Sequence, residues 1–119
     1  MDRRTAREKA FKLLFQLDIN DDDISYDETL NSFTKILVHG VKENKEEIDS
    51  VIRKHLENWS FDRIAIAEKT ILRIAVYEIL YVEDIPEAVS INEAVELAHL
   101  YGDEKSSKFI NGVLSKVIA

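Results

Sequence analysis

The sequence predicts an all-α fold of about seven helices, and three observations carry that prediction. Helix breakers are scarce: Gly40, Gly102, Gly112 and Pro86 are the only glycines and proline in the chain. Apolar residues recur near a 3.6-residue period rather than alternating. Hydrophobic residues make up 45% and charged residues 33% of the 119, which is the balance of a folded chain. That length fits one domain or two closely packed subdomains, and it buries a modest core without staples.

The first helix is expected over 3–18, running into the acidic stretch Asp18 to Asp23, the expected mobile loop. The second, over 26–41, places Leu30, Phe33, Ile36, Leu37 and Val41 at helical spacing. Asn44 with Glu47 reads as a capping box opening the third, whose inner stripe is Ile48, Val51, Ile52 and Leu56. A short fourth turn after Ser60 buries Phe61 and Ile64. The fifth, over 67–82, is apolar on most faces (Ile71, Leu72, Ile74, Ala75, Val76, Ile79, Leu80), so it should be central.

Pro86 ends that region, and Ser90 with Glu93 reads as a complete capping box opening the sixth helix. Ile91, Ala94, Val95 and Ala98 form its stripe, and Gly102 fits a left-handed stop. The seventh spans 105–118, with Phe109, Ile110, Val113, Leu114 and Val117. Gly112 inside it costs ~1 kcal/mol relative to alanine, which predicts close approach by another helix or a ligand backbone.

The formal net charge of −7 opposes general nucleic-acid binding. Its distribution is uneven. Residues 1–12 carry Arg3, Arg4, Arg7, Lys9 and Lys12 against Asp2 and Glu8, so a basic first helix precedes an acidic body. At ~100° per residue, Arg4, Arg7, Phe11 and Phe15 share one side of that helix. Guanidinium groups beside aromatic rings suit phosphates and unpaired bases of single-stranded RNA. The same spacing equally describes core phenylalanines beside solvated arginines.

Other chemistry is poorly supported. There is no cysteine, hence no disulfide or thiolate site, which fits a reducing cytosol. No apolar run approaches the ~20 residues of a membrane span, and Lys12 and Gln16 interrupt the only stretch resembling a targeting segment. Asn58-Trp59-Ser60 matches a glycosylation acceptor, but nothing else points to secretion. His39, His55 and His99 lack metal-ligand spacing, and Glu96 with His99 is a single copy of a pair that bundle metal sites use twice. Neither a phosphate loop nor a nucleophile elbow is present, so no catalytic residue, metal or cofactor is expected. Arg73 and Glu78 interrupt the apolar fifth helix, and each needs a partner because an unpaired buried charge costs several kcal/mol.

Several strings, in order, give the chain a resemblance from end to end. They are Arg3-Arg-Thr-Ala-Arg-Glu-Lys-Ala10, Trp59-Ser-Phe-Asp-Arg63, Ile71-Leu-Arg-Ile-Ala-Val-Tyr-Glu78 and Asp84-Ile-Pro86. Ser90-Ile-Asn-Glu-Ala-Val-Glu-Leu-Ala98 and Lys108-Phe-Ile-Asn-Gly-Val-Leu114 complete the set. Together they resemble the NusB family of transcription antitermination factors; residues 18–45 are the least diagnostic. The resemblance implies two helical bundles packed at a steep angle, here 1–58 and 59–119. It also implies a cytoplasmic, non-enzymatic factor. Such a factor pairs with NusE, a small-subunit ribosomal protein, binds single-stranded boxA RNA in ribosomal transcripts, and joins an antitermination complex on RNA polymerase.

By the same resemblance, Arg3, Arg4, Arg7, Phe15, Lys108, Asn111 and Ser115 are RNA-binding positions, and Tyr77 and Glu78 face NusE. Ser115 departs from the family pattern, which commonly has Asp there. Two rivals stand beside this reading: an interaction module or homodimer without RNA contact, and a fragment of an RNA cytosine methyltransferase. The second lacks any Gly-rich cofactor segment in this sequence.

Overall fold

A computed structural model describes residues 2–20 and 30–119. These form six α-helices and one 3-10 turn. The helices are α1 (Arg3–Asn20), α2 (Ser32–Glu43), α3 (Lys45–Lys54), α4 (Ile66–Tyr81), α5 (Glu87–Tyr101) and α6 (Ser106–Val117), with the turn at Phe61–Arg63. The all-α expectation holds, and the short fourth helix is the 3-10 turn. No described helix is long and apolar enough to cross a membrane.

α4 is the hub and packs against all five other α-helices. Its residues 70–76 and Glu78 are buried, as its nearly continuous apolar sequence requires. One contiguous core results, drawing Ala6, Ala10 and Leu14 from α1, Leu37 and Val38 from α2, and Ile48 and Ile52 from α3. Ala98 of α5 and Ile110 and Leu114 of α6 close it.

Four local expectations are corrected. α2 does not run from residue 26: Leu30 and Asn31 are not helical, and the Asn31 carboxamide oxygen accepts the Phe33 and Thr34 N–H groups as the cap. Asn44 does sit at the start of α3, but its amide turns back and donates to the Gly40 carbonyl at 2.9 Å, so no capping box forms. α5 begins at Glu87 rather than Ser90. Pro86 sets the entry, its carbonyl accepts the Val89 and Ser90 N–H groups, and Ser90 lies a turn inside, buried. Gly102 ends α5 with φ −105 and ψ −172, extended rather than left-handed. The expected mobile loop is helical at Asp18, and its residues 21–23 lie outside the described residues.

The close approach expected at Gly112 occurs instead at Gly40. A Cβ at Gly40 would stand 2.0 Å from Cζ of Tyr77, so α2 and the Tyr77 ring fit only because the side chain is missing. A Cβ at Gly112 meets nothing within 4 Å. Gly112→Ala should therefore stabilise the fold by about 0.5–1 kcal/mol through helix propensity alone. Urea unfolding checks this, and a loss of stability would show an unrecognised packing constraint on α6.

Candidate nucleic-acid interface

The N-terminal arginines are organised by carboxylates from α4, α5 and the loop between them. Arg7 is 4% exposed, and its fork meets Glu78 of α4 twice, Nε to Oε2 and Nη2 to Oε1, both at 2.8 Å. Glu78 is 1% exposed and also accepts the Ser90 hydroxyl at 3.0 Å. Glu93 of α5 completes the group: it takes Nη1 of Arg7 at 3.3 Å and both Nε and Nη2 of Arg4, the latter at 2.9 Å. Arg3 reaches Asp84, in the α4–α5 loop, at 2.9 Å. The Glu93 hydrogen bond, then its charge, raises the Arg4 pKa, and the Arg3 hydrogen bond lowers that of Asp84.

These contacts divide the sequence-predicted site. Arg7 and Glu78 pair with each other inside the protein, both buried. The resemblance assigned Arg7 to RNA and Glu78 to NusE; in the fold the two side chains face each other. Within the stripe Arg4, Arg7, Phe11, Phe15, Arg7 and Phe11 are buried against α4 and α5, whereas Arg4 is exposed and Phe15 half-buried. Phe11 is 2% exposed and packs on Tyr101, with ring centroids 4.7 Å apart; Phe15 stacks on Phe11 at 5.6 Å and is half-buried. Arg3 and Arg4 retain side-chain exposures of 49% and 69%. Arg3 also lies over the Phe33 ring, 4.9 Å from its centroid.

Lys108, Asn111 and Ser115 are all exposed and fall on one face of α6, at the i, i+3, i+7 spacing of that helix. α6 makes its main contacts with α5, α4 and α3, whereas α1 packs chiefly on α2 and α4. The two groups are thus carried by helices that share only the hub α4 as a main neighbour. Tyr77 is half-buried over Gly40 and stacks on Tyr81 at 5.2 Å.

Sequence reasoning missed the acceptors. Glu93 matched a capping box, and that local match hid its role as the anchor of Arg4. Asp84 gave no signal beyond its place beside Pro86. Glu8 was likewise not singled out: it accepts the Tyr101 hydroxyl and lies 3.5 Å from Lys12, fixing α1 to α5. Among the described residues, no three metal-capable side chains converge.

The matching family is NusB, over residues 4–119. The chain belongs to the NusB family. A transcription antitermination protein NusB of Oceanobacillus iheyensis is 56% identical over the whole of both chains. A solved NusB from T. maritima superposes with a TM-score of 0.89 at 38% identity, covering 98% of this chain and 90% of that one. A crystal structure of antitermination factors NusB and NusE in complex with dsRNA contains a chain 32% identical to this one. Its TM-score is 0.84, and the match covers 97% of this chain and 94% of that one.

The Tyr101 hydrogen bond holds the Glu8 carboxyl below its ordinary range, while the Glu8 oxygen raises the Tyr101 phenol. A lowered acid stabilises the fold above its unfolded pKa of about 4.3, and the benefit is lost as pH falls through the lowered folded value. A raised phenol stabilises below its unfolded value of about 10, with the benefit lost as pH rises through the raised one. The stability difference between the parent and Tyr101→Phe should therefore be largest near neutrality and shrink on both sides. Denaturation midpoints measured across pH check this; a difference independent of pH would contradict it.

Proposed function

We propose that this chain is a transcription antitermination factor that binds boxA in nascent ribosomal RNA as a heterodimer with NusE, nucleating a termination-resistant complex on RNA polymerase. The observation that carries this reading is the near-full-length similarity to the NusB of a NusB–NusE complex with RNA. In this reading residues 1–58 form the bundle that presents the arginine helix, and residues 59–119 form the bundle that presents the α6 strip. The role is binding without catalysis, and the setting is the cytoplasm, where transcription takes place.

RNA contacts fall to Arg3, Arg4, Lys108, Asn111 and Ser115, with Phe15 at the margin. Arg3 and Arg4 must exchange carboxylate for phosphate. Arg3, Arg4 and Asp84 are exposed, and Glu93 keeps its bond to Arg7 when Arg4 leaves it, so a phosphate can displace Asp84 or Glu93 at small cost. Arg7 is different: separating it from buried Glu78 costs about 3–5 kcal/mol, so it stays in place and orients the helix. Three phosphate contacts on a single strand give a salt slope of about −2. The acidic body keeps affinity low for this chain alone, and a basic partner extends the positive surface. NusE contact is assigned to the Tyr77 ring rather than to Glu78.

The pairing of all three arginines with carboxylates favours one rival, a dimerisation or interaction module without RNA contact. Gel-shift titration with and without NusE decides between them. Arg4→Glu should weaken RNA binding by the heterodimer about tenfold or more, on the scale of one charge-assisted contact reversed. Glu93→Gln should strengthen it by freeing Arg4. Equal affinity with and without NusE, together with indifference to Arg4→Glu, would contradict the RNA-binding reading.

A further inference from the structure

Away from α1, one cleft joins exposed aromatic surface to cations that close no ion pair among the described residues. Trp59, the chain's single tryptophan, lies between α3 and the 3-10 turn and is 59% exposed. It meets Phe109 of α6 edge-on, with centroids 5.4 Å apart and the rings inclined at 61°. With Ile64 and Ala65 these rings line a cleft of about 270 Å³ whose walls also carry Arg63 and Lys105. Lys108 follows Lys105 by one helical turn and is exposed.

Cation status separates this cleft from the α1 face. Arg3, Arg4 and Arg7 are each bound to a carboxylate, whereas no ion pair among the described residues involves Arg63, Lys105 or Lys108. Two acids also line the cleft. The Asp103 carboxylate is engaged at the start of α6, accepting the Lys105 N–H at 2.8 Å and the Ser106 N–H at 3.1 Å. Glu68 is the remaining anion on that wall.

We propose that the Trp59–Phe109 cleft is a stacking platform for an unpaired base of the bound RNA, with Arg63, Lys105 and Lys108 holding the flanking phosphates. This rests on the RNA-binding reading above. Every base has a π-face that an exposed indole can cover, and exposed cations beside it supply the backbone contacts that such platforms use. An apolar protein segment would use the rings and leave the three cations without a role. The cleft also adjoins the Lys108, Asn111 and Ser115 strip on the same helix, so one strand can follow α6 from the strip to the indole.

The single tryptophan makes the test direct. The full chain is titrated with a single-stranded RNA carrying boxA while indole emission is followed, and labelled-RNA anisotropy is measured in parallel with NusE present. Stacking should quench the emission. Trp59→Ala should weaken RNA binding about tenfold, Trp59→Phe should keep most of it, and joint reversal at Arg63→Glu and Lys105→Glu should weaken it comparably. RNA that binds the parent while emission stays constant, and binds Trp59→Ala equally well, overturns the platform but leaves the antitermination reading standing. Loss of NusE affinity in Trp59→Ala at unchanged RNA contact overturns it as well, because the cleft is then a protein surface. Failure of the parent heterodimer to bind RNA at all overturns the functional reading itself.

Discussion

The buried ion pair between Arg7 and Glu78 is the constraint on which the rest of the molecule depends. A carboxylate 1% exposed in the middle of the hub helix is tolerable only with a partner of matching geometry. The forked guanidinium supplies it, with two hydrogen bonds of 2.8 Å. Ser90 fills a further acceptor position on Glu78, and Glu93 takes the remaining side of Arg7. One pair thereby fixes the mutual placement of α1, α4 and α5. Toward the other end of α1 the second buried charged residue of α4 does the same. Arg73 binds Asp49 of α3 through Nε and Nη2 at 2.8 and 3.1 Å, and reaches Asp18 of α1 at 2.8 Å. The first helix is clamped to the hub near both of its ends.

In the proposed reading, that clamp is what turns the basic end of α1 outward on an acidic protein. With Arg7 turned inward, the chain before it is held so that Arg3 and Arg4 lie at the edge of α5 with their side chains about half or more exposed. Asp84 and Glu93 each hold one of the two guanidinium groups, at 2.9 Å. The interior pair sets geometry and, in the proposed reading, the outer pairs exchange for phosphate; the distinction follows from burial rather than from distance, since all three pairs close within 3 Å.

Much of this was legible in the sequence, for a physical reason. Helical period, breaker positions and the apolar excess of α4 are local properties, so element number, order and class followed from them, as did the need of Arg73 and Glu78 for partners. Which partner each found was not legible, because Arg7 and Glu78 are 71 residues apart and Arg4 and Glu93 are 89 apart. Local matches also misled. Ser90 and Glu93 have capping-box spacing, but Pro86 starts the helix earlier and both side chains serve the charge cluster. Gly112 looked crowded and is open, while Gly40, which drew no attention, admits the Tyr77 ring. Arg4, Arg7, Phe11 and Phe15 share a stripe on which Arg7 and Phe11 are buried and Arg4 is exposed.

A double-mutant cycle on Arg7 and Glu78, measured by urea denaturation, tests the central claim most directly. Arg7→Met and Glu78→Gln should each cost about 3–5 kcal/mol, because each strands a buried polar partner. The double variant should cost less than the two losses added, leaving a coupling of about 1–3 kcal/mol. Losses below about 1 kcal/mol that simply add would mean that the pair does not hold α1 to the hub.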